Sequence, residues 1–193
     1  ARALYERLGF QPGTQLNGLL MGGSALAFRA EQSGDIAEIR SITDAAFESS
    51  HEGRVIDALR GKEGVISMVA TQSSSIQAHA LFSPVHGISK SGELRTAIAL
   101  GPISVRPSQQ RRGIGSDLIR RGLARCVEAG WSAVFVLGNP HFYGRFGWKP
   151  ASTWGLHCKW PVDDGIFQAL ELKPGALDSW KGRVDYSSIF DTI

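Results

Sequence analysis

The sequence predicts a mixed α and β fold, and three observations carry that prediction. Ile36, Ile39, Ile42, Ala46 and Phe47 recur at helical spacing. Segments at residues 65–71, 76–82 and 96–105 are apolar and rich in strand-forming residues, and polar or glycine- and serine-rich turns separate them. The third observation joins the two patterns: residues 97–105 run through a glycine-containing loop into an amphipathic helix. At 193 residues the chain falls in the one-domain range and is long enough to bury a substantial core.

Each element follows from local chemistry. Asp35, with Glu38 three residues later, makes a capping-box-like start for the first helix. A second, short helix spans residues 54–60 and stops at Gly61. Turns at residues 71–75 and 86–93 make the three strands an antiparallel meander. The helix at residues 114–128 puts Ile114, Leu118, Gly122, Leu123, Cys126 and Val127 on one face and ends at Gly130. That face packs on the sheet, and Cys126 belongs to the core. A short apolar strand at residues 133–137 follows.

Composition bounds the function. The chain is 42% hydrophobic and 20% charged, ordinary for a globular protein. No apolar run approaches the roughly 20 residues of a membrane-spanning helix. The start carries Arg2, Glu6 and Arg7 without the apolar core of a secretory signal. Cys126 and Cys158 form neither a disulfide framework nor a zinc-spaced pair, so the expectation is reduced thiols, a cytoplasmic protein and no metal. A net charge of +3 and a pI near 9.1 are too mild to indicate nucleic acid. The charge is unevenly placed, with Arg106, Arg111, Arg112, Arg120, Arg121 and Arg125 around the glycine loop and the following helix. This cluster reads either as an electropositive surface for an anion or as a solvated helix face.

The loop itself is Gln110-Arg111-Arg112-Gly113-Ile114-Gly115, followed by Ser116. The first amides of a helix have no partner inside it, and the helix dipole favours negative charge there. Gly113 and Gly115 let a phosphate approach those amides, so the segment reads as an anion cradle. A Walker loop needs Lys-Ser or Lys-Thr after its last glycine, whereas Ser116-Asp117 stands here. A dinucleotide fingerprint needs a third glycine where the chain has Leu118. A tight strand-to-helix turn that uses glycine only for geometry is the plainer alternative.

What remains, Gln-x-x-Gly-x-Gly between a strand and a helix, resembles the acyl-CoA pyrophosphate loop of the GNAT N-acetyltransferase superfamily. The later segment Gly138-Asn139-Pro140-His141-Phe142-Tyr143-Gly144-Arg145-Phe146-Gly147-Trp148 is similar to the stretch where these enzymes place an Asn near the pantetheine and a Tyr near the thioester sulfur. Val55-Ile56-Asp57-Ala58-Leu59-Arg60, Ala80-Leu81-Phe82-Ser83-Pro84-Val85, Leu100-Gly101-Pro102-Ile103-Ser104-Val105 and Ala169-Leu170-Glu171-Leu172 resemble the YhbS-type branch. The resemblance covers the chain from about Leu26 onward. It implies an α/β (α+β) GNAT fold, a mixed central sheet flanked by helices with strands splayed at the CoA site. It also implies an acetyl-CoA-dependent N-acetyltransferase that passes the acetyl group directly to an amine of a small molecule or peptide. Acetyl-CoA would be the acyl-donor substrate, and a homodimer or a tandem GNAT partner domain is compatible with the family.

An internal match refines the domain map. Leu4-Tyr5-Glu6-Arg7-Leu8-Gly9-Phe10-Gln11-Pro12 parallels Phe142-Tyr143-Gly144-Arg145-Phe146-Gly147-Trp148-Lys149-Pro150 at an offset of 143 − 5 = 138 residues. With the apolar run Leu19-Leu20-Met21, residues 1–23 resemble the tail of a preceding GNAT domain or an N-terminal extension, and residues 24–193 form the transferase domain. A chance match of short aromatic-Gly-aromatic patterns is the alternative. A tandem protein also admits a second function, a CoA-binding regulatory or structural half without chemistry.

Site roles come from the resemblance, each beside a bland alternative. The oxyanion would meet a main-chain N–H in Ile103-Ser104-Val105. Pro102, which cannot continue a regular ladder, favours a bulge there or is a plain edge-strand proline. The loop residues Gln110, Arg111, Arg112, Gly113, Ile114, Gly115 and Ser116 would hold the pyrophosphate, with Phe142 nearby. Tyr143 would protonate the departing thiolate, since a phenol with a pKa near ~10 carries its proton at neutral pH; otherwise it anchors a short helix. Asn139 would hold the pantetheine amide or simply form a turn. His141 is a tempting base or an exposed loop residue. GNAT enzymes often place a Glu on the strand before the loop, yet residues 96–105 contain no carboxylate. Glu48, His51, Glu52, His79, a water chain or a substrate with a low ammonium pKa are left for the role, and His79, within an apolar strand, also reads as a core histidine.

Overall fold

The computed structural model describes residues 25–192, so the tail expected at residues 1–23 lies outside the described residues. Strand β1 (Ala27–Ala30) leads into helices α1 (Ile36–Phe47) and α2 (His51–Leu59). Strands β2 (Ile66–Gln72), β3 (Ser75–Ser89) and β4 (Leu94–Val105) follow, then helix α3 (Ile114–Glu128) and strand β5 (Ala133–Leu137). The short helix α4 (Pro140–Tyr143), strands β6 (Lys149–Pro150), β7 (Leu156–Cys158), β8 (Phe167–Glu171) and β9 (Trp180–Asp185), and helix α5 (Ile189–Thr192) complete the order.

Strands β2 to β4 form the expected antiparallel meander, β1 adds to it antiparallel on β2, β5 joins β4 in parallel, and β8 and β6 extend the sheet antiparallel. The sheet is therefore mixed, with helices on both faces. Strand alternation sorts the layers. Val69 and Leu81 join Ile39, Ile42, Val55 and Ile56 of α1 and α2. Their neighbours Met68, Ala70, Ala80 and Phe82 face the other way, onto Leu118, Ile119 and Leu123 of α3. Gly122 sets how closely α3 sits, because a Cβ there would lie 2.4 Å from the Phe82 ring.

Three expectations are corrected. Asp35 stands at the N-cap position of α1 as expected, but its side chain does not cap the helix; its carboxylate accepts from the Gln32 N–H at 2.7 Å and from Arg29 at 2.5 and 2.9 Å, while Glu38 accepts from Arg106 at 2.6 Å. Helix α2 starts at His51 rather than residue 54. The first half of the turn expected at residues 86–93 is strand, and the turn itself is confined to residues 90–93. Here β3 continues to Ser89 because β9, nearly a hundred residues later, pairs with it through His86↔Asp185 and Ser89↔Trp180.

The expectation of a core histidine holds for His79. It is fully buried on β3, with Nε2 2.8 Å from the Ser67 hydroxyl and 3.6 Å from Glu31 Oε2. Glu31 also accepts from Ser67 and Arg60. Burial pushes the Glu31 carboxyl up, but hydrogen bonds from His79, Ser67 and Arg60 outweigh it and hold the pKa at about 2. Burial lowers the pKa of His79 against the pull of Glu31. Both groups therefore bind protons less readily folded than unfolded, and both cost stability as pH falls. The melting temperature should decline below pH 6.5, the ordinary histidine value, and again below 4.5, the ordinary glutamate value. Scanning calorimetry on His79→Gln should lose the first decline and keep the second.

Candidate active site

The site begins where β4 leaves β5. The two strands pair only through Ile98↔Val134, Ala99↔Phe135 and Leu100↔Val136. At Gly101-Pro102 the register against β3 shifts, so Pro102 does mark an irregularity, and residues 103–105 then pair with β3 alone. The Arg106 N–H donates to Gln77 O at 2.8 Å. By strand alternation the Ser104 N–H also faces β3, and the main-chain groups of Ile103 and Val105 face the gap. Gln110 Nε2, 3.2 Å from Val105 O, confirms that orientation. Ser104 is thus taken up by the fold: its side chain is buried and bonds Thr43 Oγ1 at 3.0 Å. Of the expected N–H donors, Ile103 and Val105 are oriented for the role.

The loop after β4 turns through Pro107–Gln109, and Arg111 (φ +62°) and Gly113 (φ +86°) are left-handed. The first amide bond of α3 runs from the Asp117 N–H to Gly113 O at 3.0 Å, leaving the N–H groups of Ile114, Gly115 and Ser116 without a partner in the helix. Gly113 answers a conformational demand and faces open space. Gly115 serves packing instead, since a Cβ there would stand 3.1 Å from Val105 Cγ2. Ile114 is buried, so only its backbone is available. A cavity of about 500 Å³ opens over these amides, bordered by Gln110, Arg111, Phe142 and Arg145.

The arginines divide. Arg111 and Arg145 line the cavity, the latter lying 4.6 Å over the Phe142 ring with its Nε 3.2 Å from Phe142 O. Arg112 is exposed and outside the lining. Arg106 is tied to Glu38 and Ile76 O, Arg120 to Asp117 and Arg125 to Glu128, while Arg121 lies over Phe28. For Arg120 and Arg125 the solvated-face reading is the right one. Arg145 carried no assignment in the sequence, although it stands inside the resembling segment.

Beyond the loop the groove continues. A cavity of about 280 Å³ shares Val105, Gln110, Gly115 and Phe142 with the first, and shares Phe47 and Ile103 with a third of about 380 Å³. Tyr143 and Glu52 line the third. The Tyr143 ring is nine-tenths buried, edge-on to Phe142 at 5.0 Å and Trp148 at 5.5 Å, and burial raises its pKa to about 12. It holds its proton firmly. Asn139 borders the same cavity, but its Oδ1 accepts from the His141 and Phe142 N–H groups at 2.8 and 3.4 Å and caps α4. The turn-forming reading therefore accounts for its oxygen, and a pantetheine contact would fall to Nδ2.

The base candidates separate as well. His141 is exposed, Glu48 is exposed at φ +53°, and His79 is locked in the core network. Neither His141 nor His51 lines the groove. Glu52 lines it, with Oε2 buried and without a hydrogen-bond partner among the described residues. Tyr186, which the sequence reading passed over, borders the same cavity with its hydroxyl also unpartnered. A further cavity of about 900 Å³ lies elsewhere, beside Phe28, Arg60 and Arg121. It contains none of the loop or Tyr143 residues. Among the described residues no cluster of three metal-ligating side chains occurs, and no helix is long and apolar enough to cross a membrane.

A family model described as an acetyltransferase (GNAT) domain matches residues 27–151. The uncharacterized N-acetyltransferase YhbS of Escherichia coli K12 is 30% identical over 169 residues, covering 86% of this chain and 99% of that protein. The crystal structure of YhbS in complex with CoA superposes with a TM-score of 0.80 at 28% identity, covering 91% of this chain and 96% of that one. A GNAT family acetyltransferase from Brucella melitensis, solved in complex with acetyl-CoA, gives 0.69 at 35% identity, covering 86% and 98%.

Gly138 emerges as the residue that seats Tyr143, because a Cβ at that position would lie 2.3 Å from Tyr143 Cε2. Gly138→Ala should therefore push the ring aside. Denaturant unfolding should show a loss of about 1–3 kcal/mol, the usual cost of overpacking. Full stability would mean the ring has room to move.

Proposed function

Because the chain belongs to the GNAT acetyltransferase family, we propose that it transfers the acetyl group of acetyl-CoA directly to an amine of a small molecule or peptide. The observation that carries this reading is one continuous groove. It runs from the unpaired amides at the start of α3, along the gap between β4 and β5, to Tyr143. YhbS with CoA and the Brucella protein with acetyl-CoA support the donor. Two unpaired cysteines, Cys126 and Cys158, support a cytoplasmic setting.

In this proposal the pyrophosphate lies on the N–H groups of Gly113 to Ser116, with Arg111 and Arg145 adding positive charge. The Ile103 and Val105 N–H groups are oriented toward the gap where the thioester carbonyl would sit, and one of them would steady the oxyanion. A neutral amine attacks the carbonyl carbon and forms the C–N bond. Collapse breaks the C–S bond, the thiolate takes the Tyr143 proton, and the surplus proton on the new amide nitrogen returns to the tyrosine oxygen. The inactive CoA-binding module of a tandem protein is disfavoured by a buried, protonated phenol at the far end of the groove, where cofactor binding alone has no use for it. Release of CoA with any amine in a broad acceptor panel decides between the two.

Two variants test the parts. Gly113→Val places a branched side chain in the open space over the amides, at a φ such residues avoid. Calorimetry should show acetyl-CoA affinity falling about tenfold or more, the weight of one charge-assisted hydrogen bond, in a protein that still melts cooperatively. Tyr143→Phe keeps the ring and removes the proton. Turnover should fall about 10²-fold, the low end for a general acid, since a CoA thiol is itself fairly acidic, with acetyl-CoA affinity unchanged. Unimpaired turnover at saturating substrate would end the assignment.

A further inference from the structure

Glu52, Tyr186 and Trp160 come from three separate parts of the chain, and all border the cavity of about 380 Å³ at the Tyr143 end of the groove. Two polar atoms there want a partner. Among the described residues Glu52 Oε2 is shut off from solvent without a hydrogen bond, and so is the hydroxyl of Tyr186, whose residue is 8% exposed. A buried carboxylate oxygen and a buried phenol left unpaired cost free energy, and such groups in a native fold mark the place of a missing donor or acceptor.

The rest of the lining says what brings that donor. Glu52 is the only charged side chain among the described residues bordering this cavity. The walls are aromatic: Tyr186 packs against Trp160 at 5.1 Å and Phe190 at 5.6 Å, with Phe47 and Tyr143 also bordering the space. A ligand carboxylate would find no cation here, and a second ammonium would find no second carboxylate. The volume is at the small end for ligand sites, which run from about 300 Å³ upward.

We propose that this cavity is the acceptor site, and that its substrate is a small primary monoamine with an aromatic or apolar body and no carboxylate, held by its ammonium on Glu52. The inference rests on the transferase reading above and deepens it. The ammonium donates to Glu52 and Tyr186, the body lies against Trp160 and Phe190, and the nitrogen enters beside Tyr143. Glu52 then accepts one ammonium proton, which frees the lone pair for attack and passes to solvent after turnover. The donor enters from one end of the groove and the acceptor from the other.

The test separates binding from chemistry. Calorimetry on the full chain saturated with CoA should show 2-phenylethylamine binding at least about tenfold more tightly than L-phenylalanine, which adds a carboxylate, or spermidine, which adds ammonium groups. Glu52→Gln should weaken that binding about 10- to 100-fold while CoA affinity stays at the parent value. Tyr186→Phe, which keeps the ring, should weaken it by less than about tenfold and supplies an independent check on the same cavity. Preference for the amino acid or the polyamine, or undiminished binding to both variants, overturns the inference. CoA release in the presence of acetyl-CoA is read separately. If 2-phenylethylamine binds and neither it nor any amine of the acceptor panel releases CoA, the transferase reading fails while the amine site stands. If other amines are acetylated and 2-phenylethylamine does not bind, the acceptor class fails and the transferase reading stands.

Discussion

The parting of β4 from β5 after Leu100 is the constraint on which the rest of the site depends. Every main-chain N–H and C=O near the core needs a partner, and a continued parallel ladder would have supplied one to each of residues 103 and 105. The irregularity at Gly101-Pro102 ends that ladder after three residue pairs. What is left is a strand bonded on one edge and open on the other. Gln110 takes up the Val105 carbonyl, and the N–H groups beside it remain aimed into a gap that a ligand can fill. Closing the gap would abolish the groove, the oriented amides and the access to Tyr143 together.

An open gap is useful only if its borders stay in place, and the fold fixes them by close approach. Gly122 lets α3 settle on Phe82 and Gly115 lets its first turn meet Val105, so the helix start is held against β4 from two sides. Arg106 clamps the strand end to α1 through Glu38 and to β3 through the Ile76 carbonyl. At the other border Gly138 admits the Tyr143 ring, with Trp148 and Phe142 behind it. These contacts are tight enough that one added methyl group is felt, which is the rigidity that the role proposed for Tyr143 requires.

Legibility followed the range of the interaction. Helix α3 and strand β5 match the sequence expectation because periodicity, a closing glycine and β-branched residues are local signals. Strand β9 pairs with the far end of β3 across nearly a hundred residues and with β7 across 182 − 156 = 26, distances which no local window reveals. Within the site the loop amides and Tyr143 could be placed from spacing and family resemblance. Asn139, expected at the pantetheine amide or in a turn, spends its side-chain oxygen on the N–H groups that open α4. Glu52 could only be one carboxylate among several in the sequence, because what distinguishes it is burial without a partner beside residues far along the chain.

The groove is also ordered by charge. Helix amides, Arg111 and Arg145 gather at one end, and among the described residues the cavity at the other is lined by a single charged group, the carboxylate of Glu52. A donor carrying phosphates is drawn to the first end and repelled by the second, and an ammonium feels the opposite pull. Between them the groove lining turns apolar at Phe47, Ile103 and Phe142, where two charges could not meet and be screened. In the proposed reaction the same field would oppose exchange of donor and acceptor, because a phosphate beside Glu52 would be an unpaired charge in a largely apolar cavity. Orientation in such a groove is set before any contact with the reacting atoms is made.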